Sequence, residues 1–349
     1  MRGGLQGSLT KGVFMTYQPP FELNNEIIEL IAGIAQSVGR IEGHGNLNPS
    51  PQLRKDNRIR TIHSSLAIEN NTLSLEQVTA VVEGKHVVAP PRDLLEVQNA
   101  LAAYEALDSF SSTSPDDLLR AHRLLMTGLT PEAGMYRHGN VGIFNGENLV
   151  HAGTPAAYVP EVMTNLFSWL SETTVHPLVA SCVFHYELEF IHPFQDGNGR
   201  TGRLWQTLIL SEWNELFAWL PVESLVKEHQ EEYYSSLGAA DVSADSTAFI
   251  RFMLSMISAA LDDVVDSQRH DGINDGINDG INSVSGSKSA GMREQLLSLV
   301  RACPTITIAQ MADELGVKKR QAERLVASLK AEGKLIRVGA KRNGRWEAH

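Results

Sequence analysis

Apolar residues recur at helical spacing along most of the chain. Glu26 to Gly39 carries Ile27, Ile28, Ile31, Ile34, Ala35 and Val38 three and four apart, which predicts an amphipathic helix. A second helix is expected from Leu53 to Glu69, stopped by Asn70–Asn71. A third opens at Ser74, with Glu76 and Gln77 behind it, and ends at Gly84. Further amphipathic stretches cover Arg92–Leu107, Pro115–Thr127, Val159–Leu170, Pro177–Ile191, Gly199–Leu216 and Thr247–Val265. One segment departs from this period. Val141 to Phe144, then Asn145-Gly146, then Leu149 to His151 predicts a β-hairpin around an Asn-Gly turn. A lone hairpin is marginal in water, so this one needs either a task or good packing, for which Ile143 and Val150 are the candidates.

The pattern changes towards the C-terminus. Asp-Gly-Ile-Asn occurs three times over residues 271–282, and 283–291 is rich in Ser and Gly. Such repeats suggest calcium, but the spaced carboxylates and closing Glu of an EF-hand loop are missing. A flexible linker and a domain boundary are expected instead. Beyond it, Met292–Ala302 is helical, Thr307 N-caps a short helix that ends at Gly316, and a third helix covers Lys318–Glu332. Leu335–Val338, a turn at 339–344 and Arg345-Trp346 complete a two-stranded wing, so a winged helix-turn-helix is expected.

The chain has 349 residues, 42% hydrophobic and 20% charged, which suits a globular protein with a main domain and smaller pieces. No apolar run reaches membrane-spanning length, and Met1 to Gln18 lacks a signal-peptide core, so no membrane partner is expected. Cys182 and Cys303 stand far apart with no metal-ligand neighbours, which points to a reducing cytoplasm. Cys182 falls on an apolar helix face and reads as a buried, inert thiol. Charge is uneven. Met292–His349 holds 12 Lys and Arg against 6 Asp and Glu, or +6, within a chain of −11; the remainder is −17. An acidic body with a basic tail implies different partners for the two. Lys318, Lys319, Arg320 and Arg324 begin and line the expected recognition helix, with Lys341, Arg342 and Arg345 on the wing. They suit DNA phosphates, although such modules also dock proteins.

The chemistry concentrates in His-Pro-Phe-Gln-Asp-Gly-Asn-Gly-Arg-Thr-Gly-Arg, residues 192–203. Leu178, Val179, Cys182, Val183, Tyr186 and Phe190 form an apolar stripe on the helix leading in. Gly197, Asn198 and Gly199 make a tight turn, and the next helix buries Leu204, Trp205, Leu208 and Ile209. A glycine-rich turn at a helix N-terminus aims free N–H groups and the positive end of the dipole at one point, an anion site. Arg200 and Arg203, three apart, are expected to share a face and grip successive phosphates. Asp196 offers a carboxylate for Mg²⁺ beside those phosphates. His192 has the near-neutral pKa of a general base. A plain helical hairpin with a polar loop explains the glycines but not the base, metal ligand and two arginines within twelve residues.

These residues resemble the Fic-family signature H-x-F-x-[DE]-G-N-G-R-x-x-R, matched at His192, Phe194, Asp196, Gly197, Asn198, Gly199, Arg200 and Arg203. The resemblance implies an all-α Fic fold with a β-hairpin flap, beside the small C-terminal winged-helix (α+β) domain. It implies a protein adenylyltransferase that moves AMP from Mg-ATP (or Mn²⁺-ATP) to a Tyr, Thr or Ser hydroxyl of an unidentified target protein and of itself. His192 would deprotonate the hydroxyl and Asp196 would hold the metal. Gly197 forms the loop; Asn198, Gly199 and Arg200 would contact the α- and β-phosphates, and Arg203 the γ-phosphate. Phe194 would anchor the loop. Gly199 stands where kinase-type relatives carry Lys, which favours attack at the α-phosphate. Gly142, Ile143 and Phe144 correspond to the flap that holds a target backbone by strand addition, and Tyr233 and Tyr234 to a pair lining the adenine pocket.

Ser65-Leu-Ala-Ile-Glu69-Asn70 resembles the family's inhibitory motif [ST]-x-x-x-E-[GN], whose Glu would pair with Arg203 and deny it to the γ-phosphate. The same Glu69 is a candidate to orient water for AMP removal. The expected organisation is a disordered 1–18, a helical region 19–90 with the inhibitory helix, a Fic core 91–268, a linker 269–291 and the winged helix 292–349. A homodimer stays open. So do a DNA-binding regulator with a secondary Fic domain, a de-adenylylase, and another nucleotidyl or phosphoryl transferase of the same fold.

Overall fold

A computed structural model describes residues 17–43, 51–145, 148–275, 296–301 and 303–315, with 322, 326, 329–330, 334–338 and 345–348 in the tail. They divide into two compact units, Met1–Asp271 and Gly272–His349.

The first unit is helical. In chain order come α1 (Asn25–Gly43), α2 (Pro51–Ile68), α3 (Leu75–Val82), α4 (Pro91–Glu105) and α5 (Pro115–Met126). A hairpin of β1 (Gly142–Asn145) and β2 (Asn148–Ala152) precedes α6 (Val159–Glu172), α7 (Pro177–Ile191) and α8 (Asn198–Trp213). Then follow α9 (Val222–Glu228), α10 (Gln230–Ser243) and α11 (Thr247–Asp275). Caps explain several of these boundaries. Ser74 and Gln77 exchange side-chain bonds with each other's backbone N–H in a capping box, and Ser114 caps an α5 that starts on Pro115.

The helix pair α7 and α8 lies in the middle of the core. Burial runs almost all round α7, because Phe184, Leu188 and Val183 pack on one side while Ser181, His185 and Glu187 are also covered. Gly202 is what lets α8 come close, since a Cβ there would sit 2.8 Å from His185 Cδ2. Trp205 fills the space between Phe110, Phe167 and Phe184. Cys182 is buried as expected; its thiol donates to the Leu178 carbonyl, and burial pushes its pKa up to about 12.

Three sequence expectations are revised. The last helix of the unit continues past Val265 to Asp275, through the first Asp-Gly-Ile-Asn repeat and beyond the expected linker start at 269. A helix already nucleated on buried Phe249, Met253, Ile257 and Leu261 gains one bond for each residue it adds, which offsets the modest cost of Gly272. The expected disorder also ends too late. The Tyr17 hydroxyl donates to Glu187 Oε2 at 2.6 Å, and Ser246 donates from both N–H and Oγ to the Pro20 carbonyl. Finally, α9 and α10 were not announced by periodicity: α10 buries Tyr233 and Ala240 alone, so it has no apolar stripe to read. Residues 1–16 and the rest of the repeat segment lie outside the described residues.

The tail unit has a small core of Leu296, Val300, Met311, Ala322, Val326, Leu329, Leu335 and Trp346. Thr307 caps the helix Ile308–Leu315 as expected, trading bonds with Gln310. β3 (Leu335–Val338) pairs antiparallel with β4 (Arg345–Ala348), Leu335 opposite Ala348, and the Trp346 indole donates to the Ile306 carbonyl at 3.0 Å. Lys318, Lys319, Arg320, Arg324, Lys341 and Arg342 lie outside the described residues. Among the described residues no helix is long and apolar enough to cross a membrane.

Candidate active site

The loop between α7 and α8 is built from two left-handed residues. His192 ends α7 with φ 52°, its N–H donating to the Leu188 carbonyl, and Gly197 precedes α8 with φ 86°. A Cβ on Gly197 would stand 2.6 Å from Met126 Sδ, so both conformation and space require glycine there. Histidine is tolerated in this region more than most side chains but still strained by about 1 kcal/mol. Inside the loop, the Asn198 carboxamide accepts from the Phe194 N–H and donates to the Phe194 carbonyl, both at 2.9 Å. Phe194 is fully buried and stacks on His122 at 3.7 Å.

His122 was not singled out by the sequence. Gly134 N–H donates to its Nδ1, so the ring proton sits on Nε2 and is donated to the Asp196 carbonyl at 3.0 Å. Burial pushes its pKa down to about 4, which keeps it neutral in that role.

Over this loop opens a cavity of about 700 Å³, within the usual range for a small-molecule site. Its walls bring together His192, Asp196 to Gly199, Arg203, Glu69, Tyr233 and Tyr234. The start of α8, where a helix leaves its first N–H groups without intrahelical partners, lines the same cavity.

Arg203 is buried at 2% exposure and held almost entirely by α2. Its Nε donates to Ser65 Oγ at 3.0 Å, and its Nη2 donates to the Ser65 carbonyl at 3.0 Å and to Glu69 Oε1 at 2.7 Å. Burial alone would lower the pKa of Arg203; the Glu69 charge, followed by Tyr233 and Glu189, more than reverses this and raises it. The end of α2 explains why Ser65, Glu69 and Asn70 occur at that spacing. Asn70 is left-handed at φ 67°, its N–H donates to the Ala67 carbonyl and that of Asn71 to Leu66, which is a Schellman ending. Glu69 is therefore the C-cap, the residue after the last helical position Ile68, and stands one turn beyond Ser65.

Arg200 departs from expectation. It does not share a phosphate-facing side with Arg203 and does not line the cavity. Its Nη1 donates to Glu96 Oε1 at 3.3 Å and its Nη2 to Asp196 Oδ1 at 3.1 Å. The buried carboxylate of Glu96 on α4 draws the guanidinium away, and the 3.6-residue period leaves the two arginines angled apart. Asp196 also accepts from Arg92 at 3.2 Å. Among the described residues no three His, Cys, Asp or Glu gather as a metal cage. A single half-exposed carboxylate beside free N–H groups fits Mg²⁺ that arrives with a nucleotide, because phosphates and water then complete the oxygen shell.

Tyr233 and Tyr234 both reach the cavity, the first buried and the second half-exposed. Behind Tyr233, its hydroxyl donates to His185 Nε2 at 3.2 Å, while His185 Nδ1 donates to Gln206 Oε1 at 2.7 Å. Burial pushes His185 down to about 3, against the opposing Gln206 bond, so it stays neutral. Glu189, one more residue that the sequence did not single out, also lines the cavity. Burial, with the nearby charge of Glu69, pushes its carboxyl up to about 7. Phe190, assigned to the buried stripe, is instead 38% exposed, because the last turn of α7 opens onto this space.

The hairpin forms as predicted, with Gly142 opposite Ala152 and Ile143 opposite His151; a bulge follows before Phe144 meets Leu149. It ends against His192: a Cβ on Gly153 would stand 3.3 Å from His192 Cβ.

The model of the Fic/DOC family matches residues 112–210. The chain is similar to protein adenylyltransferase fic-1 of Caenorhabditis elegans, 31% identical over 61% of this chain and 42% of that protein. It is also similar to protein adenylyltransferase Fic of Nematostella vectensis, 32% identical over 61% of this chain and 50% of that one. It thus spans half or less of the length of these curated relatives. A crystal structure of a Fic family protein from Desulfovibrio desulfuricans G20 superposes with a TM-score of 0.70 at 43% identity, covering 95% of this chain and 98% of that one. Fic-1 (aa134–508) of C. elegans gives 0.58 at 26% identity, over 70% and 72%.

Proposed function

The chain belongs to the Fic family, and on that footing we propose that it is a protein adenylyltransferase, moving AMP from Mg-ATP to a hydroxyl side chain of a target protein and of itself. The observation that carries this reading is the convergence, in one cavity, of His192, the open N-terminus of α8 and Arg203. His192 takes the proton of the acceptor hydroxyl, its oxygen attacks the α-phosphorus, and pyrophosphate leaves. The main-chain N–H groups at Asn198 and Gly199 hold the phosphates; Asn198 contributes backbone, because its carboxamide is bonded to Phe194. Arg200 acts from behind, steadying Asp196. Mg²⁺, held by Asp196 and the phosphates, would neutralise charge between them. Tyr233 and Tyr234 form the wall for the adenine, and the hairpin offers an open strand edge to the acceptor's backbone.

In this reading Ser65, Glu69 and Asn70 form a brake. Glu69 occupies the edge of Arg203 that a γ-phosphate needs, and its negative charge repels the nucleotide. The tail unit reads as a winged helix, with DNA or a protein as its partner; a gel shift that weakens with salt would assign DNA.

Incubation with α-labelled ATP tests the main reading. Label should appear on the protein itself or a partner, more strongly in Glu69→Gly and not at all in His192→Ala. Label from γ- but not α-labelled ATP would replace it with a kinase. Release of AMP from a modified protein by the resting enzyme would make Glu69 a water-orienting group in a de-adenylylase.

A further inference from the structure

Arg137 is buried at 2% exposure, yet none of its bonds goes to a carboxylate. Its guanidinium is spent on four main-chain carbonyls. Nε donates to His192 O at 2.7 Å, Nη1 to Gly139 O at 2.7 Å, and Nη2 to Thr154 O and, at 3.4 Å, to Ile191 O. Its own N–H donates to Pro193 O at 3.0 Å. These carbonyls belong to two structures. Ile191 and His192 end α7, where helix carbonyls lack intrahelical partners and the dipole is negative. Gly139 lies just before the hairpin and Thr154 just after it.

A guanidinium presents its donors in a fixed planar fork, so the acceptors it binds are fixed relative to one another. His192 sits at φ 52°, and holding its carbonyl sets the direction of its side chain. Backbone bonds run the same way: Thr154 N–H donates to Ile191 O at 3.3 Å and Gly153 N–H to Val141 O at 3.2 Å. Gly153 leaves room for His192 Cβ alongside. One buried cation thus ties the base to both ends of the strand pair on which an acceptor would lie.

We propose that Arg137 is a positioning residue that sets the distance and angle between His192 and the hairpin, so that a hydroxyl on a segment docked along the hairpin meets the imidazole. This rests on the AMP-transfer reading. Arg137 would act on the chemical step and leave nucleotide binding alone, because it does not line the cavity.

The test uses the full chain in the Glu69→Gly background, with Arg137→Ala and Arg137→Lys. A displacement of about 1 Å costs on the order of 100-fold in rate, so kcat for self-labelling from α-labelled ATP should fall about that much in Arg137→Ala. The nucleotide KM and the stoichiometry of ATP-analogue binding should stay those of the parent. Lysine, a single point donor, should recover part of the rate. Millimolar guanidinium should restore Arg137→Ala at least in part, whereas a merely destabilised protein would not respond to it. An unchanged kcat, or a loss that neither Lys nor guanidinium relieves, overturns the proposal. A parent that transfers no AMP counts against the AMP reading instead. In that case ¹⁵N signals of His192 and of the hairpin amides decide: identical spectra with and without Arg137 overturn the positioning role, and a change at both places supports it.

Discussion

Glu69 Oε1 lies 2.7 Å from Arg203 Nη2, in the space left by the missing side chain of Gly199. A Cβ at 199 would collide with that carboxylate and come within 3.0 Å of Arg203 Nη1. In the proposed AMP-transfer reading, the glycine-rich loop makes room for two ligands of Arg203 that cannot both be present, a phosphate or Glu69. In the structure Glu69 holds the place.

The first prediction follows from that competition. Replacing Glu69 with Gly should raise self-labelling at least tenfold, because the guanidinium edge becomes free. It should also cost stability, about 1–3 kcal/mol, since a buried cation loses a charged hydrogen bond. That corresponds to a fall in Tm of about 2–4 °C for each kcal/mol. Excess Mg-ATP should then raise the Tm of Glu69→Gly more than that of the wild type. Equal nucleotide-induced shifts in the two proteins would mean that Glu69 does not block the site.

Ser65 should show a weaker version of the same effect. Ser65→Ala removes the acceptor of Arg203 Nε but leaves the carbonyl bond and the Glu69 pair. One hydrogen bond to a charged group is worth about 1.5 kcal/mol or somewhat more. Part of that loss falls on the resting state, so self-labelling should rise several-fold, less than in Glu69→Gly. In the double variant, serine removal should add little, because the contact it supports is already gone. Fully additive rates would separate Ser65 from the brake.

The signature residues were legible because their spacing encodes backbone. Gly197, Asn198 and Gly199 had to turn the chain, and Asn70–Asn71 had to stop α2, so the surroundings of Glu69 and the start of α8 could be placed from the chain alone. Arg200 was misread because its partner, Glu96, lies 104 residues away on another helix. His122, Arg137 and Glu189 were missed for the same reason. Each acts through main-chain carbonyls, a tautomer or a neighbour's charge, none of which leaves a local pattern. The tertiary environment also decided the fold's surprises: α10 forms although it has almost no buried stripe, and Tyr17 is fixed by Glu187 across the unit.

Glu189 gives a pH prediction. Its carboxyl titrates near 7 in the fold, through burial and the charge of Glu69, against an ordinary value of 4.5. A carboxyl raised on folding stabilises the protein below its unfolded pKa, and that contribution is lost as pH rises through the folded pKa. Above 7, ionised Glu189 also repels Glu69 and competes for Arg203, so the brake should loosen. The rate of the wild type relative to Glu69→Gly, which removes pH effects common to both proteins, should climb between about pH 6 and pH 8. In Glu189→Gln the ratio should stay flat, and that variant should be more stable than the wild type near pH 8 but not near pH 5. A ratio that falls with pH in the wild type would contradict the assignment.

His192 offers a way to separate chemistry from architecture. Its left-handed backbone strains most L-residues, whereas Asn adopts that region readily. His192→Asn should therefore fold with a Tm equal to or slightly above the wild type. Its carboxamide cannot take a proton, so in the Glu69→Gly background AMP transfer should drop by at least about 100-fold. The Mg-ATP-induced rise in Tm should persist, because the N–H groups at the start of α8 and Arg203, to which phosphate binding is assigned above, are untouched. Loss of transfer with full nucleotide binding and no loss of stability is the combination expected of a base held in a strained conformation for its task. Transfer that survives the asparagine would require another residue to accept the proton. Among the described groups lining the cavity, the carboxylates of Glu189, Asp196 and Asp241 would then be the ones to replace next.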